Sequence, residues 1–335
     1  MTVTREALER APSLVLSPAV VAHRGASGHR PEHTLDAYRT AIRMGVDDIE
    51  LDLVSTRDGV LVARHDLELS ATTDVAGRTE FAHLLRTLVV DGEEQHGWFV
   101  QDFTLHDLKT LATRERMPGT RPGNTAYDGA EGIPTLTEVL AMVGAESIRR
   151  GRPVGVLLEL KHATHHDALG LPLDVPLLRE LSRQGLDHPW ARVVLMSFEA
   201  AVLRRLAGRT RLPIVQLLDV GDELTPEALD GIDEYADGIG PHTSLVLPRD
   251  RTGAIGEPSC LVRDAHRRGL TVHVWTVRGE NRFLPTNLRH GPAPDALGDM
   301  TTMVRELLAA GVDGVITDHP EAALAAVRES AHVGS

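Results

Sequence analysis

Short apolar, β-branched runs alternate with amphipathic stretches along most of the chain. Extended segments are predicted at 19–22, 48–53, 154–160, 192–196, 212–217, 238–240, 271–276 and 314–317. Helical spacing of apolar positions follows most of them, as at 34–44, 198–207, 261–268 and 300–310. Gly45, Gly208, Gly269 and Gly311 stand as stops just past these stretches. Eight strand–helix units imply right-handed crossovers and a parallel sheet, so the expected fold is an α/β (β/α)8 TIM barrel. An open doubly wound sheet is the competing arrangement, but the Gly-x-Gly-x-x-Gly loop that usually marks it is missing. A ninth run, 60–64, is turned antiparallel to its neighbour by a β-hairpin and is no barrel stave.

The rhythm breaks between Leu67 and Gly132. Residues 67–132 are expected to form a small insertion at the carboxyl-end face, within a single domain spanning 1–335. Trp98, Phe99 and Phe103 read as its small core, with a lid over the site as the other use, and Arg116–Gly129 reads as loop. Thr135 and Glu138 have capping-box spacing, which gives Glu138 a structural task.

The chemistry concentrates at the carboxyl ends of the predicted strands, the functional face of such a barrel. Glu50 and Asp52 alternate with Ile49, Leu51 and Leu53, so on a strand the two acids share one face. Asp58-Gly59 signals a two-residue hairpin turn, and that register sets Asp52 opposite His65. Carboxylates crowded where a strand normally buries hydrophobes become tolerable around a hard cation. Glu159 adds a third carboxylate, and Glu50, Asp52 and Glu159 together suit one divalent cation, Ca²⁺ or Mg²⁺. Arg24 and Lys161 offer positive charge for an oxyanion, while His23 and His65 are candidates for proton transfer. Phe198 and Trp275 stand at two further strand ends as candidate substrate contacts. This set describes phosphoryl-group chemistry.

Composition narrows the partners. The 335 residues are 42% hydrophobic, enough for a full core. Lys and Arg total 35 against 48 acidic residues, a net charge of −13 that argues against a nucleic-acid partner. Aromatics at 3% remove stacking platforms for single strands. The single cysteine, Cys260, excludes an internal disulfide and reads as inert. The apolar run from Leu14 to Ala22 lacks the usual basic flank and leads straight into His23-Arg24-Gly25, so a cytoplasmic chain without stable membrane association is expected.

The motif series resembles that of the glycerophosphodiester phosphodiesterases, in order and over about 20–325: His23-Arg24-Gly25-Ala26, Pro31-Glu32-His33-Thr34, Glu50-Leu51-Asp52, Asp58-Gly59, His65-Asp66, Glu159-Leu160-Lys161, Ser197-Phe198, Trp275-Thr276-Val277 and Asp313-Gly314-Val315-Ile316-Thr317-Asp318. The long segment after His65 is similar to the subgroup with a domain inserted there. The resemblance implies hydrolysis of a small-molecule glycerophosphodiester to glycerol 3-phosphate and an alcohol. It implies His23 and His65 as the acid/base pair, Arg24 and Lys161 as phosphate ligands, and Glu50, Asp52 and Glu159 as ligands of Ca²⁺ or Mg²⁺. His33 and Arg278 stand where many members have Asn, which bears on recognition of the glycerol or headgroup.

Alternatives are a phosphodiester lyase of the phospholipase D or phosphatidylinositol phospholipase type, releasing a cyclic phosphate, and a non-catalytic metal- or ligand-binding barrel. Histidine-bound zinc of the amidohydrolase kind would need a His-x-His after the first strand, where His23-Arg24 stands. His162, His165, His166 and Asp167 read as a solvated loop, and Asp318 as the N-cap of the last helix.

Overall fold

The computed structural model describes residues 18–333, so the part of the amino-terminal apolar run at 14–17 lies outside the described residues. Eleven strands follow in chain order: β1 (Ala19–Ala22), β2 (Asp48–Ser55), β3 (Leu61–Ala63), β4 (Arg86–Val90), β5 (Glu93–Gly97), β6 (Gly155–Leu160), β7 (Val193–Ser197), β8 (Ile214–Leu218), β9 (Gly238–Pro241), β10 (Thr271–Val277) and β11 (Gly314–Thr317). Parallel pairing runs β1-β11-β10-β9-β8-β7-β6-β2 and closes through β1–β2, which makes an eight-stranded (β/α)8 barrel. All eight predicted barrel strands are present, with no end shifted by more than two residues. Helices lie between them; Leu35–Met44 is capped by Thr34, whose side chain accepts the Ala37 amide, and ends at Gly45 with φ 107°. Thr135 and Glu138 form the expected capping box on Leu136–Arg150.

The alternation on β2 divides the core. Ile49, Leu51 and Leu53 are fully buried in the large cluster between barrel and helices. The inward face carries the other set. Val21, Leu157, Met196, Val215, Leu217 and Ile316 form a separate buried cluster. Glu159 stands two residues past Leu157 on β6, Glu50 pairs with Leu157 and Asp52 with Glu159 across β2–β6, and all three acids are nearly as inaccessible.

The hairpin differs from its expected register by one residue. Leu53 pairs with Ala63 and Val54 with Val62, and the Arg64 amide donates to the Asp52 carbonyl at 2.9 Å. Arg64, rather than His65, therefore lies opposite Asp52. The Thr56 amide donates to the Val60 carbonyl at 3.0 Å, which leaves a three-residue loop with Gly59 at φ 77°. That is the type I turn plus left-handed glycine of three-residue hairpins, for which Asp-Gly also serves. His65 lies past the last paired residue, where the chain leaves β3.

The segment after β3 has its own small core. Val75, Phe81, Val90, Phe99, Val100, Phe103, Leu108 and Leu111 pack on Val54 and Val62 of the hairpin. Phe99 and Phe103 are fully buried, and Phe103 meets Phe81 edge-on at 5.0 Å between ring centroids. Trp98 Nε1 donates to the Phe81 carbonyl at 2.8 Å. Phe99 and Phe103 are therefore core, and half-buried Trp98 packs at the edge of their cluster. The antiparallel β4–β5 pair in this segment is mostly exposed: Val90 and Gly97 are buried, Leu88 and Gln95 half-buried and Val89 exposed, so the pair carries little periodic signal. Among the described residues no helix is long and apolar enough to cross a membrane. Phe103→Ala should cost roughly 3–5 kcal/mol by denaturant unfolding; a cost below about 1 kcal/mol would show the ring is not packed as described.

Candidate active site

The site begins where β1 ends. Arg24 and Gly25 both turn into the left-handed region, with φ 56° and 85°. A Cβ on Gly25 would lie 2.6 Å from the Ala37 backbone carbon, so the helix can approach the turn only over glycine. The turn aims the Arg24 amide at Glu50 Oε2, 2.9 Å away. His33 also has φ 56°, a conformation that Asn, Asp and His adopt more readily than other side chains. Its Nε2 donates to Asp52 Oδ2 at 2.9 Å and its Nδ1 accepts the Tyr38 hydroxyl at 2.7 Å. The residue at the usual Asn position thus braces an acid.

Glu50, Asp52 and Glu159 offer oxygens that all lie within 4.8 Å of one another. Asp52 and Glu159 are direct neighbours in the β2–β6 register. Burial, then the charges of Asp52 and Glu159, push the Glu50 carboxyl well above the usual carboxylate range. Burial likewise lifts Glu159 to about 8, against the pull of Lys161. Burial acts in the same sense on Asp52, but Lys161, Arg24, His65 and the His33 hydrogen bond outweigh it and hold that carboxyl well below its ordinary value. Glu50 Oε1 is buried with no hydrogen-bond partner. An orphaned carboxylate oxygen beside two further carboxylates is a donor set that fits a hard divalent cation.

Two cationic side chains are built into this cluster. Arg24 Nε lies 3.1 Å from Asp52 Oδ2, and its Nη1 donates to both oxygens of Glu32 at 3.1 and 3.2 Å. Lys161 Nζ lies 2.8 Å from Glu159 Oε1 and 3.8 Å from Asp52 Oδ1. Phe198 brings its ring within 5.3 Å of Lys161 Nζ and meets Trp275 edge-on at 5.3 Å. The two aromatic candidates therefore border the same cluster, while the Trp275 indole N–H is spent on the Gly240 carbonyl at 2.6 Å.

The two histidines are anchored alike. His23 Nδ1 lies 2.6 Å from Asp318 Oδ1, and His65 Nδ1 lies 2.5 Å from Asp66 Oδ1. Burial favours neutral Asp318, but Arg278, Arg121 and His23 hold its carboxyl well below the ordinary range. The same contest at Asp66 is decided by the His65 hydrogen bond and Arg116. An ionised carboxylate only accepts, so each Nδ1 carries the hydrogen and each Nε2 keeps its lone pair. Burial and then Arg24 lower His23 to about 4; burial, Arg24 and Lys161 lower His65 to about 3. Both rings are neutral at neutral pH. A cavity of about 590 Å³ borders His65 and Asp66 and is walled by Glu68, Asp91, Glu93, His96 and His162.

Two sequence readings are corrected here. Asp318 does more than precede the last helix: its oxygens serve His23, Arg121 (2.6 Å) and Arg278 (2.9 Å). The histidine-rich stretch is a helix, Ala163–Ala168, and no solvated loop. It packs against the end of β2, where fully buried His166 Nε2 accepts the Ser55 amide at 3.4 Å. His162 and His165 pair instead with Asp91 and Gln101, and no metal-ligating group involves them among the described residues. Tyr38, Arg116 and Arg121 are not singled out for the site by sequence reasoning. Glu32, Asp66 and Asp318 stand there in motifs without a role at the site, and Arg278 reads only as a departure from the usual Asn.

Residues 23–322 match the model of the glycerophosphoryl diester phosphodiesterase family. A glycerophosphodiester phosphodiesterase of Arabidopsis thaliana is 33% identical over 325 residues, covering 90% of this chain and 83% of that protein. One from Bacillus subtilis is 30% identical over 315 residues, covering 92% and 86%. A phosphodiesterase of Oleispira antarctica, solved with the product sn-glycerol-3-phosphate, shares the fold with a TM-score of 0.65 at 21% identity, over 93% of this chain and 97% of that one. The chain belongs to the glycerophosphoryl diester phosphodiesterase family.

Proposed function

We propose that this protein hydrolyses small glycerophosphodiesters to glycerol 3-phosphate and an alcohol, with His23 and His65 as the acid/base pair and Ca²⁺ or Mg²⁺ held by Glu50, Asp52 and Glu159. The observation that carries this reading is the buried carboxylate trio with Arg24 and Lys161 built into it. Bound there, the cation would offset phosphate charge and polarise the P–O bonds. Residues 67–132 belong, on this reading, to the same single domain. The product complex of the Oleispira antarctica phosphodiesterase supports the substrate class.

The residues divide the work. Arg24 and Lys161 bind the phosphate oxygens, and Arg24 is held in place by Glu32 and Asp52. One neutral Nε2 accepts the proton of the attacking nucleophile. The other histidine must carry a second proton to give to the leaving alkoxide, and a bound phosphodiester anion favours that charged form. Phe198 and Trp275 present apolar edges beside Lys161, suited to the carbon skeleton of the substrate.

Glycerophosphocholine should be turned over to sn-glycerol 3-phosphate, read by phosphorus NMR, and a chelator should abolish that turnover until Ca²⁺ or Mg²⁺ is returned. A cyclic phosphate as the stable product would favour the lyase reading. His23→Ala and His65→Ala should each lower kcat by ~10²–10⁴; near-normal turnover in both would refute the assignment. Lys161→Met should raise KM for the diester, and an unchanged KM would remove it from phosphate binding.

A further inference from the structure

Arg116 and Arg121 lie on one short stretch of the segment after β3, and each reaches the carboxylate behind a different histidine. Arg116 Nη1 donates to Asp66 Oδ2 at 2.6 Å, while its Nε and Nη2 grip both oxygens of Glu32 at 2.7 Å. Arg121 Nη2 donates to Asp318 Oδ2 at 2.6 Å, its Nε to Glu280 Oε1 at 2.6 Å and its Nη1 to the Ser27 carbonyl at 3.0 Å. The two aspartates are far apart in sequence, and each gives its other oxygen to a histidine Nδ1. The stretch between the arginines is itself fastened. Glu115 takes the Met117 amide at 2.7 Å and Asn124 Nδ2 at 2.8 Å, and the Met117 carbonyl accepts the Arg121 amide at 2.8 Å.

We infer that Arg116 and Arg121 are positioning residues that fix the ring orientation and tautomer of His65 and His23 from a single tie across the mouth of the barrel. The inference rests on the histidine roles proposed above for its catalytic consequence, although the tie is a matter of geometry. A carboxylate held by a rigid guanidinium fork cannot turn its acceptor oxygen away from the imidazole. The buried Arg121, Glu280 and Asp318 make the His23 side of the tie stiff. Asp318 also receives Arg278, so the His23 side keeps one donor when Arg121 is lost. Asp66 Oδ2 depends on Arg116, which makes the His65 side the more sensitive. Glu32 joins Arg116 to Arg24, so Arg116 also steadies a proposed phosphate ligand, whereas Arg121 does not.

The test uses the full chain with ¹⁵N-labelled histidine and the variants Arg116→Met and Arg121→Met. Long-range ¹H–¹⁵N NMR should show the Nδ1–H tautomer at His23 and His65 in the parent. Arg116→Met should mix the tautomers at His65 alone, and Arg121→Met at His23 alone. Both should lose about tenfold or more in kcat for glycerophosphocholine, and Arg116→Met should also raise KM. In a His65→Ala background Arg116→Met should cost no further kcat, which a general loss of packing would not reproduce. Should the methionine variants not fold, Arg116→Lys and Arg121→Lys carry the same comparison. Unchanged tautomers in both variants, or a kcat loss from Arg116 substitution that persists in full without His65, overturn the inference. Tautomers that shift in the variants as stated, with a parent that does not hydrolyse the diester, overturn the proposed function and leave the tie standing.

Discussion

Three carboxyl groups are packed against one another inside a barrel that water scarcely reaches, and much of the site is arranged around that fact. Like charges at such range are costly in a low-dielectric interior, and burial penalises each charge alone. The cost is visible in the chain itself. Glu50 and Glu159 have their carboxyl groups pushed upward, while Asp52 stays low because Lys161, Arg24 and His33 converge on it. A turn with two consecutive left-handed residues supplies the Arg24 amide to Glu50, and a third left-handed residue supplies His33 to Asp52. Glu50 Oε1 is buried without a hydrogen-bond partner, a position that a divalent cation would satisfy.

The same arrangement accounts for the histidines. Burial beside Arg24 keeps both rings neutral, and an ionised aspartate behind each one orients it. Those aspartates stay ionised against burial, through the His65 hydrogen bond and Arg116 at Asp66, and through Arg278, Arg121 and His23 at Asp318. Orientation and tautomer therefore follow from one set of charge-assisted hydrogen bonds, while the neutral state follows from burial, which outweighs them.

What was legible in the sequence was what local periodicity encodes. The barrel strands showed as apolar runs, and the alternation of Glu50 and Asp52 with Ile49, Leu51 and Leu53 was enough to place acids inside and hydrophobes against the helices. The hairpin register was not legible, because Asp-Gly suits two- and three-residue loops alike and the choice was made by the Thr56–Val60 pairing. Reading Asp52 opposite His65 reached the right grouping through the wrong contact. Arg116, Arg121 and Asp318 were hidden for another reason: their partners lie 50 and 197 residues away, a relation no window of sequence contains. The histidine-rich stretch reads as a solvated loop because its polar residues give no sign that the fold spends one imidazole on a strand amide and two on the side chains of Asp91 and Gln101.

The central claim is that the carboxylate trio is a cation site and a source of repulsion without one. Thermal unfolding with Ca²⁺ or Mg²⁺ and with chelator, for the parent chain and Glu50→Gln, tests it directly. The account predicts that cation raises the parent midpoint, that Glu50→Gln in chelator is no less stable than the parent in chelator, and that cation shifts the variant little. A parent midpoint indifferent to both cations, or a variant that responds to them as the parent does, would contradict it.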